Sequence, residues 1–97
     1  MLFSIICTDK PGEGLELRMK NRPDHLAFLD QLGDRLKMAG PFMNDEGTEP
    51  RGSLVIIEAE NIDEARTIAA RDPYARAGVF ENVEIRAFKW LLPEEKP

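Results

Sequence analysis

The sequence predicts an α+β domain of order β-α-β-β-α-β. Three observations carry that prediction: a short apolar run opens the chain, two later stretches repeat apolar residues at helical spacing, and segments of strand character follow each of them. Ninety-seven residues leave room for one domain spanning 1–97, and a composition that is 42% hydrophobic and 32% charged is that of a folded globule.

Leu2-Phe-Ser-Ile-Ile-Cys7 is rich in β-formers and stops at the turn signal Thr8-Asp-Lys-Pro-Gly12, so it is read as strand one. Leu15 and Met19 share a face in a brief turn, and Pro23 marks the first position of the principal helix, because a missing N–H costs nothing there. His25, Leu29, Leu32 and Leu36 then fall on one stripe with Asp30, Asp34 and Lys37 on the wetter side, and Gly40-Pro41 is expected to end that helix. A short strand near Phe42–Asn44 follows, then a polar connector over 45–52.

Strand three is expected from Ser53. Its run Leu54-Val-Ile-Ile57 implies that both faces are covered, unlike a strand with one wet face. Asn61 with Glu64 three residues later signals a helix start, and Ala65, Ile68 and Ala69 supply the apolar stripe of helix two, which ends near Asp72-Pro73. Tyr74–Gly78 reads as a turn, and Val83, Ile85 and Ala87 alternate with Glu84, Arg86 and Phe88 as the last strand; the tail Pro93–Pro97 is expected to fray. This element order is that of the ferredoxin-like split motif, a sheet with both helices on one face. The second apolar face, with Phe88 and Trp90 nearby, is then expected to pack against another copy of the chain as a homodimer.

The formal charge of −5 provides no cationic footprint for nucleic acid, and acids alternate with the basic residues. No apolar run approaches the ~20 residues of a membrane span. One cysteine, Cys7, permits no intrachain disulfide and fits a reducing compartment, so a cytoplasmic location is expected. One histidine and one cysteine make no zinc pair, no glycine pattern cradles phosphate, and nothing positive suggests haem; the expectation is chemistry with no metal and no cofactor.

The topology itself brings the end of strand one, the Arg22–His25 segment, Ser53 and Asp72 to the same end of the sheet. A histidine can exchange protons with a substrate, and a carboxylate on its other nitrogen would fix the tautomer, which makes His25 and Asp72 a candidate acid/base dyad. A structural histidine and an aspartate that only caps the turn before Pro73 explain the same residues equally well at this level. Arg18 and Arg22 are candidates for holding a carboxylate, Ser53 for orienting a substrate and Tyr74 for reaching the pocket; each also has an ordinary surface, turn or packing reading.

Arg22-Pro-Asp-His-Leu26, Ala39-Gly-Pro41, Gly52-Ser53 and especially Ala70-Arg-Asp-Pro-Tyr-Ala-Arg-Ala-Gly-Val-Phe80 resemble the YciI-like (YCII-related) family over nearly the whole chain. The resemblance implies a subunit of the dimeric α+β barrel superfamily whose pocket centres on a proposed catalytic histidine and aspartate, here His25 and Asp72. It places Ser53 at a further polar position of that pocket and Arg22 as a basic residue just before the histidine. A related dehydrochlorinase-like enzyme of aromatic degradation implies proton transfer on muconate- or lactone-like acids. The leading expectation is therefore a lyase or isomerase acting on a small, anionic molecule. A non-catalytic small-molecule-binding or regulatory dimer, and a domain whose pocket is only a satisfied polar core, stand as the alternatives.

Overall fold

The computed structural model describes residues 1–94; residues 95–97 of the tail expected to fray lie outside the described residues. The elements are β1 (Leu2–Asp9), α1 (Glu13–Gln31), a 3-10 turn at Gly33–Arg35, β2 (Leu36–Met43), β3 (Pro50–Glu58), α2 (Ile62–Ala70), a one-turn α3 (Pro73–Arg76) and β4 (Phe80–Phe88). The strands form one antiparallel sheet in the order β2-β3-β1-β4, the arrangement of the ferredoxin-like split motif.

Alternation along the two central strands sorts the side chains. Phe3, Ile5 and Cys7 of β1 lie beside Ile57, Val55 and Ser53 of β3, and the apolar members join Leu29 of α1 with Ala65, Ile68 and Ala69 of α2 in the core. The opposite parity places Ile6, Leu54 and Ile56 on the face without helices, flanked by Met38 and Phe42 of β2 and by Phe88 of β4. Ile56 is buried there and Leu54 half-buried, whereas Met38, Phe42 and Phe88 are exposed.

Several boundaries differ from the sequence reading, each for a physical reason. The first helix starts at Glu13, ten residues before Pro23, which sits inside it. An interior proline costs about 3 kcal/mol, and the buried stripe of Gly14, Arg18, His25 and Leu29 offsets it by anchoring the helix on both sides of the break. The same helix stops at Gln31, because Gly33 takes a left-handed φ of 57° just beyond the cap at Leu32. Leu36 is consequently a strand residue, and Gly40-Pro41 lies within β2. An edge strand tolerates Pro41, whose missing N–H weakens no central ladder. β1 runs on to Asp9 and β3 starts at Pro50, and the stretch read as a turn after Asp72 forms α3, with Asp72 as its N-cap. The Asn61 cap of α2 forms as read, its side chain accepting from the Glu64 N–H at 2.9 Å.

Gly52 pairs with Thr8 where the backbones approach so closely that a Cβ at position 52 would lie 2.2 Å from the Cys7 carbonyl oxygen; at Gly40 a Cβ would meet nothing within 4 Å. In urea denaturation, Gly52→Ala should therefore destabilise the chain by about 2 to 3 kcal/mol. Gly40→Ala should range from neutral to about 1 kcal/mol stabilising. Equal behaviour of the two variants would contradict this register.

Candidate active site

The inward series Phe3, Ile5, Cys7 continues to Asp9, which is buried at the end of β1. A carboxylate in that position needs a partner, and α1 supplies one. Arg18 donates from Nε to Asp9 Oδ2 at 2.8 Å and from Nη2 to Asp9 Oδ1 at 2.7 Å, a two-pronged pairing, and Nη2 also donates to Ser53 Oγ at 2.9 Å. Burial works against the Arg18 cation, but the hydrogen bonds and charge of Asp9 more than offset it, so the guanidinium holds its proton above the usual arginine range.

Two helical turns along the same stripe stands His25. Its Nδ1 lies 2.8 Å from Asp72 Oδ1, both side chains being buried, and that same oxygen accepts the Tyr74 N–H at 2.9 Å. Capping and histidine pairing are thus one interaction: the carboxylate that starts α3 also orients the imidazole. Tyr74, 2% exposed, stacks on His25 with centroids 3.9 Å apart and planes within 9°, and the Arg18 guanidinium carbon is 4.7 Å from its ring centre. Burial raises the Tyr74 phenol above its ordinary value against the pull of Arg18 and Arg22, so the hydroxyl stays protonated as a donor at neutral pH. Behind these groups the Cys7 thiol is pushed up to about 12 by burial, reinforced by the Asp72 charge, and is no nucleophile at neutral pH.

A cavity of about 290 Å³ opens between α1 and β2. Arg18, Arg22, His25, Ser53 and Tyr74 line it, together with Met19, Leu26, Leu29, Val55 and the β2 residues Ala39, Gly40 and Pro41. Asp9 and Asp72 are absent from that lining and stand behind the side chains they hold. Because Asp72 occupies Nδ1 of His25, Nε2 is the ring nitrogen left to exchange a proton with a bound molecule. Among the described residues no group of three or more His, Cys, Asp or Glu side chains is placed to hold a metal ion.

All six residues singled out from the sequence therefore belong to one assembly: His25, Arg18, Arg22, Ser53 and Tyr74 on the cavity and Asp72 behind them. Arg22 is the exposed member, and among the described residues it enters no ion pair. Sequence reasoning missed Asp9, taken as part of a turn. The signal was present in the period-two series 3, 5, 7, 9, which puts the aspartate on the core side.

Residues 1–89 match the family model of the YCII-related domain. Protein YciI of Escherichia coli O6:H1 is 42% identical over 96 residues, covering 92% of this chain and 97% of that protein. Among solved structures, 5-chloro-2-hydroxyhydroquinone dehydrochlorinase TftG from Burkholderia phenoliruptrix, in complex with 2,5-dihydroxybenzoquinone, is similar at 33% identity and a TM-score of 0.83, covering 92% of this chain and 94% of that one. SnoaB, a cofactor-independent oxygenase from Streptomyces nogalater, shares the fold at 15% identity and a TM-score of 0.58, with 96% of each chain covered. Among the described residues no helix is long and apolar enough to cross a membrane.

A carboxylate accepts and does not donate, so the neutral imidazole of His25 should carry its proton on Nδ1. Long-range proton–nitrogen NMR on the single histidine should show Nδ1 protonated and Nε2 bare, with that preference lost in Asp72→Ala. An Nε2-protonated ring in the unaltered protein would contradict the arrangement.

Proposed function

The chain belongs to the YCII-related family, and on that premise we propose that it is a cofactor-independent enzyme of the lyase or isomerase type, in which His25 and Asp72 transfer protons on a small, acidic, hydroxylated substrate. The observation that carries this reading is the buried 2.8 Å contact between Nδ1 of His25 and Asp72, which leaves the other ring nitrogen to the cavity. The likeness to a dehydrochlorinase with a dihydroxybenzoquinone bound supports an elimination on a hydroxylated ring.

In the proposed reaction, Nε2 of His25 removes a hydroxyl proton, the oxygen electrons form a carbonyl, and the imidazolium returns the proton to a ring carbon. This is an isomerisation. Where that carbon carries a halide, loss of a second hydroxyl proton forms a second carbonyl and expels the halide. The net loss is one HX, and no outside oxidant is needed. Asp72 stabilises the imidazolium as it forms, while Arg18, Ser53 and the Tyr74 hydroxyl are placed to stabilise oxyanions. Arg22, exposed at the rim, draws an anion in against the chain's overall negative charge.

The test is halide release from 5-chloro-2-hydroxyhydroquinone. His25→Ala should lower kcat/KM by about 10² to 10⁴-fold, and Arg22→Gln should raise KM with little change in kcat. Tight binding of 2,5-dihydroxybenzoquinone without turnover of any halogenated or tautomerisable analogue would favour a binding module instead.

We further infer that the chain works as a homodimer through the helix-free face, on the support of Ile6, Leu54 and Ile56 at its centre and exposed Met38, Phe42 and Phe88 around them. Sedimentation equilibrium should return twice the 11.0 kDa chain mass, and Phe42→Lys should weaken association at least tenfold. A monomer at all concentrations would remove the inference.

A further inference from the structure

Along its β3 wall the lining of the cavity changes from Ser53 to Val55, and proton transfer accounts for the Ser53 end alone. At one end Ser53 meets Arg18, with His25 and Tyr74 alongside. Two residues on, Val55 faces the same way and lies opposite Ala39 of β2, while Leu29, one turn beyond His25 on α1, closes the wall and Leu26 forms the rim. None of these four side chains can donate, accept or titrate.

Size gives that apolar end a meaning. A cavity of roughly 150 Å³ suffices for a benzene ring, and this one measures about 290 Å³. A single hydroxylated ring seated against His25 and Arg18 does not fill it, and Leu26, Leu29, Ala39 and Val55 are among the lining residues it leaves uncovered. Water there would find no polar side chain from these four residues to bind, so an apolar group displaces it favourably.

We propose that the natural substrate carries a short apolar arm on its acidic ring, and that Leu26, Leu29, Ala39 and Val55 receive it. This rests on the proton-transfer reading for the orientation of the ring. Ala39 is the position that sets the permitted arm length: it is the smallest side chain of the four, it lies on an edge strand, and it faces inward beside Val55. Leu26, 44% exposed, covers the arm from the solvent side.

Calorimetric affinities for 2,5-dihydroxybenzoquinone and its 3-propyl derivative test the idea. Each buried methylene contributes about fourfold, so the propyl compound should bind at least tenfold more tightly. Ala39→Leu, which fills the apolar end, should bring the ratio of the two affinities close to one, and Leu26→Ser, a surface change that the fold should accept, should lower it by several-fold. Equal affinities in the unaltered protein, or a gain that survives both substitutions, overturn the arm and leave the proton-transfer reading standing. Failure of both compounds to bind overturns both readings. The expected gain without turnover of halogenated analogues upholds the arm and overturns the chemistry.

Discussion

The two-pronged pairing of Arg18 with Asp9 is the constraint on which the site end of the molecule depends. An aspartate at the inward-facing end of a central strand is tolerated only if its charge is met, and a guanidinium with two aligned donors meets it. That requirement draws the first two turns of α1 onto the sheet. It makes the helix begin before Pro23, and it sets the rotation of the helix so that His25, seven residues on, points at the same end of the sheet. Removing either partner would leave a buried charge uncompensated, which is a larger loss than the net contribution of the intact pair.

A second carboxylate performs the equivalent task from the other side. Asp72 accepts from the first turn of α3 and from His25 with a single oxygen, so the position of the imidazole is tied to the backbone of a helix and not to a mobile side chain alone. Tyr74, placed by that same turn, stacks on the imidazole and lies under the guanidinium. The two pairs therefore share contact with one aromatic ring. Arg18, His25 and Tyr74 are held in place by these contacts, which gives this part of the site a fixed arrangement.

How much of this was legible depended on whether a residue's role was local or tertiary. The element order and the convergence of His25, Ser53 and Asp72 followed from the alternation of strand and helix and from the direction each must run. Asn61 declared its cap because capping is a matter of four consecutive residues. Pro23 and Gly40-Pro41 misled because their usual punctuation was overruled from outside: buried anchors on either side of Pro23 hold the helix through it, and the edge position of β2 leaves Pro41 no central hydrogen bond to break. Leu36 fitted the helical stripe by spacing, but a left-handed glycine three residues earlier ended the helix first. Asp9 was hidden by its neighbours Lys10, Pro11 and Gly12, which signal a turn so strongly that the strand period running into them went unread.

The charge arrangement follows from the same two carboxylates and bears on which molecules the cavity accepts. Asp9 balances Arg18 and Asp72 stands behind His25, each placed on the protein side and out of the cavity lining. A bound molecule thus meets donors without meeting the carboxylates that support them. Arg22 is the cation of the lining without an ion pair among the described residues, and in the proposed reaction it is the group that meets a substrate's negative charge. In the proposed reaction an imidazole that takes up a proton already has the Asp72 carboxylate in contact to stabilise the new charge. Under the same proposal, Arg18, Ser53 and Tyr74 are the lining groups that would meet an oxygen becoming anionic, so that both charges of the transition state would have a partner.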